Sequence, residues 1–418
     1  MTAHTQPREV IVLGAGMVGV STALALQARG HAVTLVDRKM PGRETSYGNA
    51  GIIQREAVEP YAFPRDLGML FRVATGLSND ARYHVGAMAA LAPRLLRYWH
   101  ASAPSRYGAI AKAYGTLIEH CITEHAHWIE QADAGHLVNR DGWRQAYRST
   151  RAFDAAVAAA RAVAGAHGLG CVVQGPQALA AAEPALRLPM AGAIHWTDPW
   201  TVRDPGDLVA LYARLFVLRG GQFVHGDALS LRAQGAGWSV DAQGGPVQAE
   251  DVVVALGPWT DTLTRQLGYR LPLFVKRGYH RHYEGGSRLA VPMLDVECGV
   301  MLAPMSRGLR LTTGAEFARL DAIATPVQLQ RAERSSAQLL AALGTPVEAQ
   351  PWLGARPCTV DMKPVLGPAP RHPGLWFNFG HAHQGFTLGP VTGRLLAELI
   401  SGDEPFVDPT PFLAARFG

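Results

Sequence analysis

The sequence is poor in cysteine, in long apolar runs and in clustered charge, and each shortage removes a class of protein. Four cysteines in 418 residues, Cys121, Cys171, Cys298 and Cys358, lie far apart. None forms a CxxC pair or a metal-type spacing, so free thiols in a reducing compartment are expected rather than a disulfide framework or a zinc site. No apolar run reaches the ~20 residues that span a bilayer. Residues 1–8 are short and polar rather than a secretory leader, so the default expectation is a cytoplasmic protein. Charged residues make up 17% of the chain, and the net charge is +5 with arginines spread along its length. That pattern gives no nucleic-acid footprint and leaves open only a weak, peripheral attraction to the anionic inner face of a membrane. His120, His125 and His127 share one segment, but no carboxylate–histidine set has metal-ligand logic, and no metal is expected.

What is present is concentrated at the N-terminus. Val10 to Leu13 reads as a buried parallel strand that ends in Gly14-Ala15-Gly16-Met17-Val18-Gly19. A helical pattern runs from Val18 to about Arg29, Gly30 stops it, and Ala32 to Val36 is the next strand, closed by Asp37. Each part has a physical task. Gly14 permits the tight turn, Gly16 lets a pyrophosphate approach the backbone, and Gly19 allows helix and sheet to pack closely. The helix start offers free N–H groups and a positive dipole end to phosphates. Asp37 falls where a carboxylate accepts hydrogen bonds from a ribose, and it would repel the 2′-phosphate of NADP. The motif implies a dinucleotide without choosing between FAD and a nicotinamide cofactor.

Further along, Glu44 to Ile53 carries small polar residues that can bring hydroxyls and N–H groups to a cofactor, or can be an ordinary cap and turn. Residues 54–108, with Pro60, Pro64, Pro93 and Pro104, read as an extended, partly irregular excursion in which Met69, Leu70, Phe71 and Val73 are expected in the core. Residues 109–132 read as one helix, His136 to Arg148 as paired strands, and Phe153 to His167 as a second helix. Asp204-Pro205-Gly206 starts another, running to about Arg219. A meander returns to the buried run Val252 to Leu256, which ends in Gly257-Pro258-Trp259. From Leu271 to about Phe317 the chain is strand-rich and antiparallel in character, hence a second domain. Residues 326–343 form a helix, Leu375 to Phe379 a strand, and 391–401 the last helix, entered through the turn Gly380 to Pro390.

Taken together, four blocks resemble the superfamily of FAD-dependent D-amino-acid dehydrogenases and glycine, sarcosine and D-amino-acid oxidases. They are the N-terminal GxGxxG with Asp37; Glu44-Thr45-Ser46-Tyr47-Gly48-Asn49-Ala50-Gly51; Ala255-Leu256-Gly257-Pro258-Trp259; and Gly354-Ala355-Arg356-Pro357 with Asp361, Pro364, Gly367 and Gly380-His381. The second block looks most like the bacterial dehydrogenases. The resemblance implies an α/β fold with a discontinuous Rossmann-like FAD-binding domain (1–108, 205–266 and 349–418). A second, α+β substrate domain (109–204 and 267–348) is then built on an antiparallel sheet. It assigns Gly14, Gly16, Met17, Val18 and Gly19 to the pyrophosphate turn. Asp37 and Arg38 go to the adenosine ribose, and Leu229 to the adenine through its backbone. Ser46, Asn49, Ala50 and Gly51 lie near the ribityl chain and flavin, and Gly257 stands at a second strand end that faces the cofactor. The turn of Gly380, His381, His383, Gln384, Gly385, Phe386 and Thr387 is expected to aim N–H groups at the flavin N1–C2=O edge. A plain NAD enzyme needs no such second glycine-rich turn, so FAD is expected, bound noncovalently because Cys358 is not at the spacing for a covalent link.

The implied chemistry is transfer of a hydride from an amino acid Cα to flavin N5, giving an imino acid and then a 2-oxo acid and ammonia. Electrons are expected to go to a quinone or other redox partner. An Arg fork is the best handle for the substrate carboxylate. Arg356 is the candidate, with a structural pairing to Asp361 as the alternative. Tyr279 would add a hydroxyl or cap the pocket, or merely pack in its strand. His383 would sit at the flavin edge, or serve only as a helix cap. A peroxide-producing amine oxidase and a non-catalytic flavoprotein subunit remain the competing functions.

Overall fold

A computed structural model describes residues 6–76 and 79–418, except for the side chain of Met69. An eight-stranded sheet gathers distant parts of the chain. Its order is Gly245–Ala249, Gly237–Ala242, Gln222–Gln234, Ala32–Asp37, Glu9–Leu13, Asp251–Val254, Leu375–Phe379 and Val365–Pro368. The strands from Gln222–Gln234 across to Leu375–Phe379 pair in parallel. Val10 to Leu13 and Val252 to Val254 are buried on both faces, which is why these strands read as unbroken apolar runs rather than alternating ones.

The helix Met17–Gln27 is buried on nearly every side, because the last helix, Gly385–Ser401, lies against it. Small residues set that closeness. A side chain at Gly389 would come within 2.6 Å of Met17, and one at Gly393 within 2.8 Å of the Ser21 and Thr22 backbone. As a result the starts of both helices point at the same space, with Gly385 beside Val18. The last helix begins at Gly385 and carries Pro390 within it, six residues earlier than its pattern predicts. Pro390 has no N–H to give the Phe386 carbonyl. Buried His125 takes that place, its Nε2 lying 2.9 Å from the Phe386 oxygen.

A second sheet of eleven strands is centred on Leu273–Glu284, with Trp352–Thr359 antiparallel beside it. Trp352–Thr359 therefore belongs to the second sheet, although residues from 349 on are expected with the cofactor domain. Ala81–Tyr83, inside 1–108, also joins this second sheet. Residues 54–108 are less irregular than expected: helices span Leu67–Ala74 and Val85–Ala101, the latter carrying Pro93 inside, and Pro104 opens a third. Phe71 is exposed rather than core. The helix expected over 109–132 is two, Pro104–Ile118 and Cys121–Gln131. Val138–Asn139 and Trp143–Tyr147 do not pair with each other; the first joins Trp200–Val202 and the second Gly192–Trp196. Among the described residues no helix is long and apolar enough to cross a membrane, and no cluster could hold a metal ion.

Candidate active site

One cavity of about 630 Å³ runs from the N-terminal turn to the second sheet. At its first end Gly14 has φ +107°, and a Cβ there would lie 2.5 Å from the Ala255 carbonyl oxygen. Gly19 backs onto the Gly14 carbonyl and takes no part in the cavity wall, so its role is packing. Gly16, Met17 and Val18 line the space. Ser46 Oγ accepts the Met17 N–H at 2.9 Å. The Asp37 carboxylate accepts the Ala15 N–H at 2.6 Å and the Lys39 N–H at 3.0 Å. Arg38 lies 4.3 Å over the Trp259 ring and donates to Glu44 at 3.0 Å. Leu229 stands at the rim, and its N–H is already given to Asp227 Oδ1 at 2.9 Å.

In the middle, Asn49, Ala50 and Gly257 line the wall. Gly51 does not: its φ is +73° and it packs on the Val202 carbonyl. Gln384 and Thr387 are also outside the wall. Gln384 donates to Gln54 Oε1 at 2.8 Å, and Thr387 Oγ1 accepts the Gln54 N–H at 3.2 Å. Both hold in place a segment whose Gln54 does line the cavity. Gly380, His381, Gly385 and Phe386 line it as well. The first N–H groups of the Gly385–Ser401 helix have no partners within the helix and open on this region. His381 is tied to Thr392 Oγ1 at 3.0 Å, and burial pushes its pKa down to about 3.

The far end is built on the two paired strands. Arg356 stands in register with Lys276, and both line the cavity. The guanidinium lies across Gly278, where a Cβ would meet Arg356 Nη1 at 2.6 Å. Arg356 has no ion pair among the described residues. The alternative partner, Asp361, is bonded instead to Arg416 at 2.8 Å and faces Lys363 at 3.6 Å. His383 packs its ring 4.9 Å from that of Tyr61. Burial, then the charges of Arg356 and Lys276, hold its pKa well below the ordinary histidine value. Tyr279 corrects the expectation for its hydroxyl. The ring is fully buried, and its Oη is bonded to Glu316 at 3.1 Å and receives the Thr325 N–H at 2.7 Å. Glu316 is in turn the buried partner of Arg277. The hydroxyl is thus consumed inside the second sheet, although Tyr279 forms part of the wall.

The family model described as FAD dependent oxidoreductase (DAO) matches residues 9–399. The chain belongs to this family. It is 31% identical to a D-amino acid dehydrogenase of Cereibacter sphaeroides, covering 96% of this chain and 93% of that one. It is 29% identical to a D-amino-acid oxidase of Bradyrhizobium diazoefficiens, covering 98% and 99%. The fold matches that of glycine oxidase from Geobacillus kaustophilus, with a TM-score of 0.72 at 21% identity over 98% and 99% of the two chains. L-proline dehydrogenase from P. horikoshii gives 0.72 at 15% identity over 99% and 98%.

As a member of the DAO family the chain is an FAD-dependent oxidoreductase, and its cavity suits that cofactor. An elongated space joins one helix start, at Gly16 and Met17, to a second, at Gly385, and Asp37 stands at the ribose distance along the sequence. Sequence reasoning missed Lys276, Gln54, Tyr61, Tyr98 and Trp143, all of which line the cavity. Lys276 left a signal, as the first of two adjacent cations, Lys276 and Arg277, that end the apolar run Leu271 to Val275. The other four lie on segments whose elements were misread or whose partners are distant in sequence.

Proposed function

We propose that this protein is an FAD-dependent D-amino-acid dehydrogenase. It oxidises the CH–NH₂ group of its donor to an imine, which water converts to a 2-oxo acid and ammonia. A cyclic donor such as D-proline or hydroxy-D-proline gives a pyrroline carboxylate instead. The reading is carried by Arg356, which faces the same cavity as both helix starts and has no acid of its own among the described residues. Its fork takes the substrate carboxylate bidentately, and orientation supplies much of the rate. Bound FAD supplies a two-electron acceptor. Burial in the cavity disfavours an ammonium, so the substrate amine is held neutral and no dedicated base is required. His383, kept neutral by burial, shapes the wall beside Tyr61. Tyr279 acts only through its place in the wall.

Gly14, Gly16, Met17 and Val18 serve the pyrophosphate, with Asp37 and Arg38 at the adenosine and Leu229 at the rim. Ser46, Asn49, Ala50, Gly257, Gly380, His381, His383, Gly385 and Phe386 serve the flavin half. Gly19, Gly51, Gln384 and Thr387 support that site from behind. Binding is noncovalent, in keeping with Cys358 being buried outside the cavity wall. The D-configuration and a quinone or other non-oxygen acceptor rest on the dehydrogenase relatives. The oxidase relative supports a second reading, in which oxygen is the acceptor.

Anaerobic mixing of the yellow protein with paired D- and L-amino acids, prolines included, tests the proposal. Bleaching of the flavin by D-enantiomers, with little hydrogen peroxide in air, is expected. Peroxide at the rate of turnover moves the assignment to the oxidase reading. A flavin bleached by no amino acid refutes both.

A further inference from the structure

Two cationic side chains share one wall of the cavity, and among the described residues neither has an acid. Lys276 and Arg356 are cross-strand partners, and no ion pair to either exists among the described residues. Lys276 is 7% exposed. Among the described residues its Nζ has one hydrogen-bond partner, Tyr98 Oη at 3.2 Å, whose own proton goes to the Tyr61 carbonyl. An ammonium has three donors to satisfy, and a buried cation is costly unless paired. Burial, and behind it the Arg356 charge, pull the Lys276 pKa down, and the ring faces around Nζ, Tyr98 at 4.6 Å and Phe274 and Phe317 at 5.8 Å each, work against that shift by attracting a cation. They do not replace an anion.

A simple amino acid brings a single carboxylate, and the Arg356 fork uses both of its oxygens. Lys276 would stay uncompensated through the whole reaction. A donor with a second acid group removes that cost and fills the remaining N–H directions. We propose that Lys276 is the receptor for a second carboxylate, so that the preferred donor is an acidic D-amino acid, or an imino diacid of similar reach. This rests on the assignment of Arg356 as the α-carboxylate anchor. The aromatic faces beside Nζ cover the methylene side of such a donor and leave its oxygens for the ammonium.

The test compares each acid with its near-isosteric amide in anaerobic flavin reduction by the purified holoenzyme: D-aspartate against D-asparagine, D-glutamate against D-glutamine, with D-alanine as the neutral baseline. A buried charge pair discriminates strongly against the amide, so an advantage of about 100-fold in the reduction rate constant over Kd is expected for the better acid. Lys276→Met should bring that ratio close to one, and Lys276→Arg should keep most of it. Titration with malonate against acetate, read as a perturbation of the oxidised flavin spectrum, gives the same contrast without turnover. It stands even if no D-amino acid is oxidised, an outcome that would refute the dehydrogenase assignment alone. An amide as good as its acid in the wild-type protein overturns the proposal. So does a ratio unchanged in Lys276→Met with flavin still bound, because an equal loss on every donor makes Lys276 a base rather than a receptor. Should Lys276→Met fail to hold flavin, Lys276→Gln is read by the same ratio and the same titration.

Discussion

The two ends of the cavity differ in how far the chain satisfies itself. At the N-terminal end Asp37 already holds two backbone N–H groups, Ser46 takes the Met17 N–H, and Arg38 is stacked on Trp259 and bonded to Glu44. At the other end Arg356 and Lys276 face the space with no acid paired to either among the described residues. On the proposed assignment the first end is preorganised for a cofactor that stays, and the second is left charged for a ligand that comes and goes and completes it at each turnover. A site of the first kind tolerates loss of one contact, whereas a site of the second kind fails when a charged anchor goes.

The sharpest way to break this contrast is Arg356→Met. It removes a bidentate charged pair, so the rate constant over Kd for flavin reduction should fall by about 1000-fold, roughly 4 kcal/mol, with flavin retained. Stopped-flow reduction and the bound-flavin absorbance check both parts. Loss of flavin with unaltered kinetics in the remaining holoenzyme would mean that the arginine serves the cofactor end.

A second effect lies behind the substrate end. Glu56 is buried, accepts hydrogen bonds from Gln54 and Trp143, and has its pKa raised to about 7 chiefly by desolvation. Between its ordinary value of 4.5 and about 7 the folded protein keeps a proton that the unfolded chain has released. Stability from this group is therefore lost as pH rises through that window, by about 3 kcal/mol in all. Denaturant unfolding of Glu56→Gln should show a difference from wild type that moves in the variant's favour by that amount from below to above the window. A difference independent of pH would show that Glu56 is charged throughout.

Gly278→Ala probes the arginine without touching it. The new Cβ would meet Arg356 Nη1 at 2.6 Å, so the fork must shift. A misplacement of this kind should lower the same kinetic ratio about 30-fold, near 2 kcal/mol, leaving flavin content unchanged. Asp37→Asn is expected to do least. It keeps one acceptor oxygen and weakens FAD binding about fivefold, roughly 1 kcal/mol, as read by flavin release on dilution. A larger effect for Asp37→Asn than for Gly278→Ala would reverse the contrast between the ends.

The N-terminal strand, helix and strand could be read from residues 9–38 because every signal there is local: an apolar run, three glycines and a terminal acid. Arg356 was readable as a candidate for the same reason, through the short block around it. What escaped depends on partners distant in sequence. Tyr279 was placed in the correct strand, but that its hydroxyl turns to Glu316 follows from a packing arrangement 37 residues away. Lys276 could not be matched with Arg356 until the register of their strands was known. In residues 54–108 the prolines misled, since Pro93 sits inside a helix and Pro104 starts one. The true start of the last helix was hidden by Pro390, whose missing hydrogen bond is made good by His125 from another helix.

A crystal structure of the yellow holoenzyme with a non-reacting carboxylate analogue of a D-amino acid decides the matter most directly. Expected is one carboxylate gripped by both terminal nitrogens of Arg356, with the flavin ring between that ligand and the start of the Gly385–Ser401 helix. A ligand carboxylate bound elsewhere, or an Arg356 turned to a protein acid while the ligand is in place, contradicts the assignment.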